Sequence, residues 1–405
     1  MTRESLWRNR AFLALWGGQI VSTVGSHLSA TAMALLVLAT TGSPGRAGLV
    51  AAAGTLPHLL LSLPAGTLVD RWPRRRVMLA AQIVAGIAMG SVAVAVFAGT
   101  ISIAHLAVAA FVDGACAVCF GVAERAALPQ IVPGSLVAAA LAQNEAKTRG
   151  AALAGPPLGG VAFGLGRAVP FVADAVSYAV AAACLLLVRD ELRPVRNGPP
   201  TSPWQDTVAG LRYLRGHAFA RTAVVLVAAS NLVFQALILV LIVQATRHGA
   251  TSAQVGLMLG LYSGGGLLGA VAATRLYRHI TPRAVVVGVN WVWAALLPLF
   301  ALTGRPVLLG AIGAACAFVG PLWNVVIGAY TLTHIPDELR GRVMSAALTV
   351  SAGVLPLGSL AGGALVQAAG PVRSLLVLFA AMLAVAVAGS LARSLRELDR
   401  RDSAG

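Results

Sequence analysis

Between two apolar runs, Gly48 to Val69 and Val77 to Ala98, stands the segment Gly66-Thr67-Leu68-Val69-Asp70-Arg71-Trp72-Pro73-Arg74-Arg75-Arg76. Each run is long enough to cross a bilayer, whose hydrocarbon core takes roughly 20 helical residues. Asp70 and the arginines cannot rest in hydrocarbon, so the segment is a tight, water-facing hairpin between two spans. The arginines put that hairpin on the cytoplasmic side. A plain positive-inside anchor accounts for the arginines alone. The glycine and aspartate at fixed spacing ask for more: Gly66 permits close helix contact, and Asp70 can cap an incoming helix N-terminus.

The rest of the chain has the same character. Of 405 residues, 58% are hydrophobic and 11% charged, against about 25% charged in soluble domains. This is the composition of an all-α polytopic membrane protein. The net charge of +16 does not mark a nucleic-acid partner. All but one of the 30 basic residues are arginines, the exception being Lys147. They gather at the ends of apolar runs on alternate loops, a topology signal and a contact for anionic membrane lipid. Cys116, Cys119, Cys184 and Cys316 fall inside apolar spans. Cys116-x-x-Cys119 has redox or zinc spacing but lacks a second ligand pair, so small packing residues are expected there and no metal. The apolar run after Arg10 is too long for a signal peptide and reads as a retained first span.

Twelve spans are expected, over residues 12–38, 48–69, 77–98, 104–124, 146–166, 169–188, 221–244, 253–275, 284–303, 307–330, 343–367 and 372–392. With this register 23 arginines fall on one set of loops and five (Arg46, Arg167, Arg247, Arg305, Arg373) on the other. Both termini are therefore expected in the cytoplasm, in a multi-pass protein of the cell membrane. Residues 189–220 form the long internal loop. Pro194, Pro199, Pro200 and Pro203 break its first half; from Trp204 onwards, Trp204, Val208, Leu211 and Leu214 suggest a short helix at the cytoplasmic interface, with a solvated linker as the other reading. The expected units are 1–188, this linker, and 221–405.

The two halves look like repeats. Pro133 precedes Gly159-Gly160 by 26 residues, Pro336 precedes Gly362-Gly363 by 26, and Gly66 moved by the same 203 residues falls on Gly269. At one shared offset these matches support two pseudo-symmetric six-helix bundles running parallel.

Several stretches carry a resemblance. Gly66-x-x-x-Asp70-Arg71-x-x-Arg74-Arg75 resembles the loop 2–3 signature of the major facilitator superfamily, with Pro73 where that family usually has Gly. Gly155-Pro156-Pro157-Leu158-Gly159-Gly160 resembles the Gly-Pro-x-x-Gly-Gly motif of its exporters. Its physical work is packing: small residues admit a neighbouring helix, and the prolines bend the span. Gly210-Leu211-Arg212-Tyr213-Leu214-Arg215, the run Ile335 to Ser345, and Phe171 to Tyr178 resemble the secretion-effector branch, which includes siderophore and drug exporters. The resemblance implies the major facilitator fold. It also implies a cytoplasmic gate from Gly66, Asp70, Arg71 and Arg75, meeting Gly341 and Arg342 at the start of span eleven, with Arg125 as a second partner.

Acids inside hydrocarbon are costly and are candidates for function. Asp113 in span four and Asp174 in span six are the two that qualify. Asp113 sits about 11 residues, roughly 16 Å, from the inner end of its span. It is either a proton carrier or substrate contact, or a satisfied structural hydrogen-bonding group. Asp174 is the better candidate for a structural partner. In the resembling fold, spans one, four, seven and ten line a central cavity. Asp113, Cys116, Phe120 and Glu124 share a face of span four, and Gln19, Thr23, Ser26 and His27 make a polar stripe on span one. His27 is thereby placed to face Asp113, and Glu124 is a further coupling candidate. Related exporters often carry Asp where this chain has Ser26. In the second half the cavity candidates are Asn231, Phe234, Gln235 and Asn324, with Trp323 and Tyr330 adding aromatic surface. Trp291 and Trp293 read as packing or lipid-facing residues.

The favoured expectation is a secondary active exporter of small, largely apolar organic compounds, exchanging them for protons by alternating access. Uptake, flipping of a lipid-like molecule, and a non-transporting receptor or scaffold on the same fold are the alternatives. No phosphate-binding Gly-x-x-x-x-Gly-Lys-Ser/Thr loop occurs, and no His-Glu-x-x-His or similar cluster suggests an enzyme. No cofactor is expected, and the chain is expected to act as a monomer.

Overall fold

The computed structural model describes residues 6–188, 192, 203–276 and 281–395. Apart from Leu192, residues 189–202 of the linker, with Pro194, Pro199 and Pro200, and the tail after residue 395 lie outside the described residues. Helix accounts for nearly everything, and no strand occurs among the described residues. Hydrocarbon offers backbone groups no partner, so each span satisfies its own.

The chain divides into two compact units, Met1–Thr41 with Ala53–Pro203, and Gly42–Ala52 with Trp204–Gly405. The first contains α1 (Arg10–Thr41), most of α2 (Pro44–Arg71), α3 (Arg74–Phe97), α4 (Ile103–Ile131), α5 (Val137–Leu165) and α6 (Val169–Leu186). The second contains α7 (Pro203–Gly216), α8 (Ala218–Arg247), α9 (Ser252–Leu276), α10 (Pro282–Leu296), α11 (Pro306–His334), α12 (Asp337–Gly353) and α13 (Leu355–Leu391). The first turns of α2 belong with the second unit, where Ser43 Oγ donates to Gln367 Oε1 at 3.0 Å.

Nine helices among the described residues are long and apolar enough to cross a membrane, ten if the bent α2 is one span. Large apolar side chains such as Ile87, Phe97, Leu165 and Leu302 are more than 65% exposed on their outer faces, as lipid contact requires. The protein is a multi-pass membrane protein. Its α5 is longer than expected, because a polar stretch from Gln143 to Arg149 extends the helix ahead of the apolar part. Expected span eleven is interrupted: α12 stops at Gly353 and α13 starts at Leu355, with Pro356 in its first turn. Within α13, Gly370 takes φ 76° just before Pro371, a left-handed conformation open to glycine, and this breaks the helix where the last loop was expected.

Small residues set the helix contacts. In the first unit, a Cβ on Gly155 or Gly159 would press on the backbone of Leu28 in α1, at 3.2 Å from its nitrogen and 3.1 Å from its Cα. In the second unit a Cβ on Gly358 or Gly362 would press on Leu232 and Ala236 of α8, at 2.8 and 2.6 Å from their carbonyl oxygens. These are the same positions shifted by 203 residues. Gly66 behaves otherwise. An added Cβ there meets nothing within 4 Å, so the expected close contact is absent. Helix α2 bends by 61° between Pro44–Ser62 and Pro64–Arg71, and its tight contact lies before the bend, where Gly54 meets Gly114 of α4. Pro64 removes a helix hydrogen bond at that point.

The linker helix α7 also corrects an expectation. Thr207, Gly210 and Leu214 form its buried face, with Gly210 against the Arg342 carbonyl of α12. Val208 and Leu211 are 38% and 41% exposed. Leu214 therefore does not share their face, and the side chain of Trp204 lies outside the described set.

Candidate functional site

Hydroxyl-bearing residues of α1 and α6 meet two aspartates inside the first unit. Helix α1 lies along α6 because Gly25 leaves no side chain there; an added Cβ would come 2.6 Å from Asp174 Oδ1. That approach brings Ser26 and Ser29 to α6. Asp174 is fully buried. Ser29 Oγ donates to Asp174 Oδ2 at 2.5 Å and Ser177 Oγ donates to Asp174 Oδ1 at 3.2 Å. The Ser177 hydroxyl also lies 2.7 Å from the Asp174 backbone carbonyl, so its one hydrogen is shared between the two acceptors.

Asp113 differs. It is only partly buried, and one oxygen has a protein partner: Tyr178 Oη donates to Asp113 Oδ1 at 2.6 Å. Tyr178 Oη also lies 2.9 Å from Ser26 Oγ, and Ser26 Oγ donates to the Ser22 carbonyl at 3.0 Å. The result is a continuous line from α4 through α6 to α1. Among the described residues neither aspartate is joined to a cation.

His27 does not take the place beside Asp113. Its Cβ packs where Gly155 leaves room on α5, because α1 is wedged between α5 and α6 and turns Ser26 towards the acids. Gln19 is buried, and Thr23 Oγ1 bonds back to the Gln19 carbonyl at 2.6 Å. The face assumed for α4 is also split. Phe120 is 7% exposed and packs in the core with Phe12, Ala123 and Leu128, so it is not a cavity residue. Glu124 is bound in an ion pair: Lys147 Nζ lies 2.9 Å from Glu124 Oε1, with side chains 4% and 12% exposed. The one lysine of the chain thus joins α5 to α4.

In the second unit, Asn231 Nδ2 donates to the Ser351 carbonyl at 3.4 Å and Gln235 Nε2 to Ser359 Oγ at 2.9 Å. Both amides tie α8 to α12 and α13. Phe234 meets Trp293 edge-on at 4.8 Å between ring centroids, and Trp293 Nε1 donates to the Cys316 carbonyl at 2.8 Å. Asn324 is exposed. Trp323 is buried, and its indole N–H has no partner among the described residues.

Of the residues expected at the gate, Arg75 caps α6, donating to the carbonyls of Leu185 and Leu186 at 3.3 and 2.9 Å. A cation at a helix C-terminus satisfies free carbonyls and the dipole together. Asp70, Arg71, Arg125 and Gly341 are exposed, and Arg342 is partly buried. Pro156 and Gly160 are buried in α5.

Sequence reasoning missed Tyr178, Ser29 and Lys147. Tyr178 had a signal, since it lies one helical turn after Asp174 on a face that also carries Ser177.

Comparison with known proteins adds to this geometry. Proteins called multidrug efflux pump Tap are similar over nearly full length. That of Mycobacterium tuberculosis is 28% identical over 408 residues, covering 97% of this chain and 95% of the relative. That of Mycolicibacterium fortuitum is 28% identical over 403 residues, covering 96% of each. Two solved structures share the fold. The nucleoside transporter NupG superposes with TM-score 0.73 at 12% identity, covering 94% of this chain and 98% of its own. A bacterial homologue of the iron transporter ferroportin does so with TM-score 0.73 at 17% identity, covering 95% and 98%. The sequence profile described as transmembrane secretion effector matches residues 4–405, and the chain belongs to that family of major facilitator superfamily transporters.

Proposed function

We propose that this protein exports small, largely apolar organic compounds in exchange for protons, by alternating access between two six-helix bundles of twelve transmembrane helices in all. The similarity to proteins named multidrug efflux pumps favours export over uptake, lipid flipping or a scaffold role. The repeated glycine contacts of Gly155 and Gly159 with α1, and of Gly358 and Gly362 with α8, support two bundles of one design. Arginine distribution supports cytoplasmic termini, and Asp70 is the residue proposed to meet the start of α12 when the cytoplasmic side is closed.

The observation that carries proton coupling is a count of hydrogens. Three close contacts run from Asp113 through Tyr178 and Ser26 to the Ser22 carbonyl, and the two hydroxyls own two hydrogens between them. When Asp113 carries a proton, it donates to Tyr178, Tyr178 to Ser26, and Ser26 to Ser22; every contact is satisfied. When Asp113 is ionised, Tyr178 must turn its hydrogen back to the carboxylate, and one contact in the line loses its donor. Loading and unloading Asp113 would thus be felt on α1, α4 and α6 together. Asp174, sealed from solvent and held by Ser29 and Ser177, is assigned a structural role.

Flux in vesicles with an imposed pH gradient tests the reading. Asp113→Asn should abolish gradient-driven accumulation while counterflow persists, since Asn keeps shape and hydrogen bonding but cannot titrate. A variant that still concentrates substrate with wild-type pH dependence would overturn it.

A further inference from the structure

A cavity of about 480 Å³ opens on the flank of the first unit, within the range of roughly 300–1,000 Å³ that holds small ligands. It lies between the end of α2, the start of α3 and the middle of α4. Leu68, Trp72, Val84, Phe111 and Cys116 contribute to its wall, and Arg76 supplies the charged group. Asp113 is not among its lining residues.

The arginines beside it have other employment. Arg74 Nη1 donates to the Ala126 carbonyl at 2.6 Å, and Arg75 caps α6. Arg76 is exposed; its backbone N–H bonds to the Pro73 carbonyl at 2.9 Å, and its guanidinium has no hydrogen-bond or ion-pair partner among the described residues. Trp72, 56% exposed, stands near it, and tryptophan is enriched where bilayer meets water. Arg76 and Val84 are roughly 12 Å apart along α3 at 1.5 Å per residue. One leaflet contributes about 15 Å, half of the hydrocarbon core. On the same two helices Ile83, Ile87 and Val108 are 49%, 67% and 61% exposed, apolar surface of the kind that lipid covers. The groove is thus close to one leaflet in length along α3, with its one positive charge at the end where α3 starts.

We infer that this groove is a binding site for an anionic glycerophospholipid, with one acyl chain in the cleft and its phosphate on the Arg76 guanidinium. A planar guanidinium binds phosphate oxygens in pairs, and basic recesses between transmembrane helices suit anionic headgroups. An apolar transport substrate has no use for the cation, and a second copy of the chain would have to bring an acid to it.

Native mass spectrometry of the full chain, mixed with phosphatidylglycerol or phosphatidylcholine of identical acyl chains, tests the site. The wild type should retain phosphatidylglycerol preferentially. Arg76→Gln should reduce that preference roughly fivefold, the contribution of one basic residue at a membrane surface. Ala80→Phe, an exposed position on the groove wall, should reduce retention of both lipids. Phosphatidylglycerol with brominated chains should quench the fluorescence that is lost in Trp72→Phe, and Ala80→Phe should relieve the quenching. Undiminished preference in Arg76→Gln, or quenching indifferent to Ala80→Phe, overturns the assignment. So does occupancy of the groove by the lipophilic cation ethidium, or by a second copy of the chain, in the presence of phosphatidylglycerol.

Discussion

Tyr178 Oη stands 2.6 Å from Asp113 Oδ1 and joins α6 to α4. Tyr178→Phe keeps the ring and deletes that link, leaving Asp113 and Ser26 without their shared partner. Losing one side of a buried hydrogen bond costs about 1–3 kcal/mol. The expected outcome is a lower melting temperature and a weakened response of transport to an imposed pH gradient. Adding Asp113→Asn to Tyr178→Phe should bring little further loss, since the two groups act as one unit. Additive losses would separate them.

Glu124 and Lys147 form the buried ion pair of the first unit, 2.9 Å apart. Lys147→Gln should destabilise the protein by roughly 3–5 kcal/mol, because it strands a buried carboxylate. The double variant Glu124→Gln with Lys147→Gln should recover most of that, measured as thermal stability in detergent. If Glu124→Gln alone removes pH-dependent transport at unchanged stability, Glu124 takes part in coupling rather than in structure.

Gly159→Val and Gly362→Val should each cost about 1–3 kcal/mol through overpacking, because a Cβ added at either would press on helix backbone, 3.1 Å from the Leu28 Cα and 2.6 Å from the Ala236 carbonyl oxygen. Gly66→Ala should be neutral in the same melting assay, having open space around it. A large loss at Gly66 would restore the packing role assumed from its motif.

Asp70→Asn removes a charge from an exposed residue while keeping its size. Flux should fall at normal expression and unchanged melting temperature, as the cytoplasmic closure loses the attraction between a carboxylate and a helix N-terminus. Transport at the wild-type rate would remove Asp70 from the gate.

Reporter domains placed after Arg46 and after Gly198 should report opposite sides of the membrane. Finding both on one side would contradict the proposed topology.

Much of this protein could be read along its length. A bilayer imposes a single axis, so hydropathy and arginine placement act as one-dimensional signals, and most helices follow the apolar runs, with α5 and the break between α12 and α13 as exceptions. Asp113 and Asp174 stood out because few carboxylates enter such runs. The shared offset of Gly159 and Gly362 was equally visible, and both became contact points between helices.

Which face of each helix meets which neighbour was a different matter. Apolar residues are spread all round helix α4, so its pattern does not tell that Phe120 turns to the core, Cys116 to the groove and Asp113 to Tyr178. His27 and Ser26 are adjacent in sequence, and a turn of about 100° per residue separates their directions. The packing of α1 between α5 and α6 decided that Ser26, not His27, reaches the aspartates. Lys147 likewise found Glu124 only because α5 and α4 were brought side by side. The amino-acid sequence by itself determined the spans, the acids within them and the small residues that admit neighbours, because each depends on transfer between water and hydrocarbon. Tertiary structure alone decided the rotation of each helix and hence the pairs, because rotation is settled by side chains of other helices, far away in the chain.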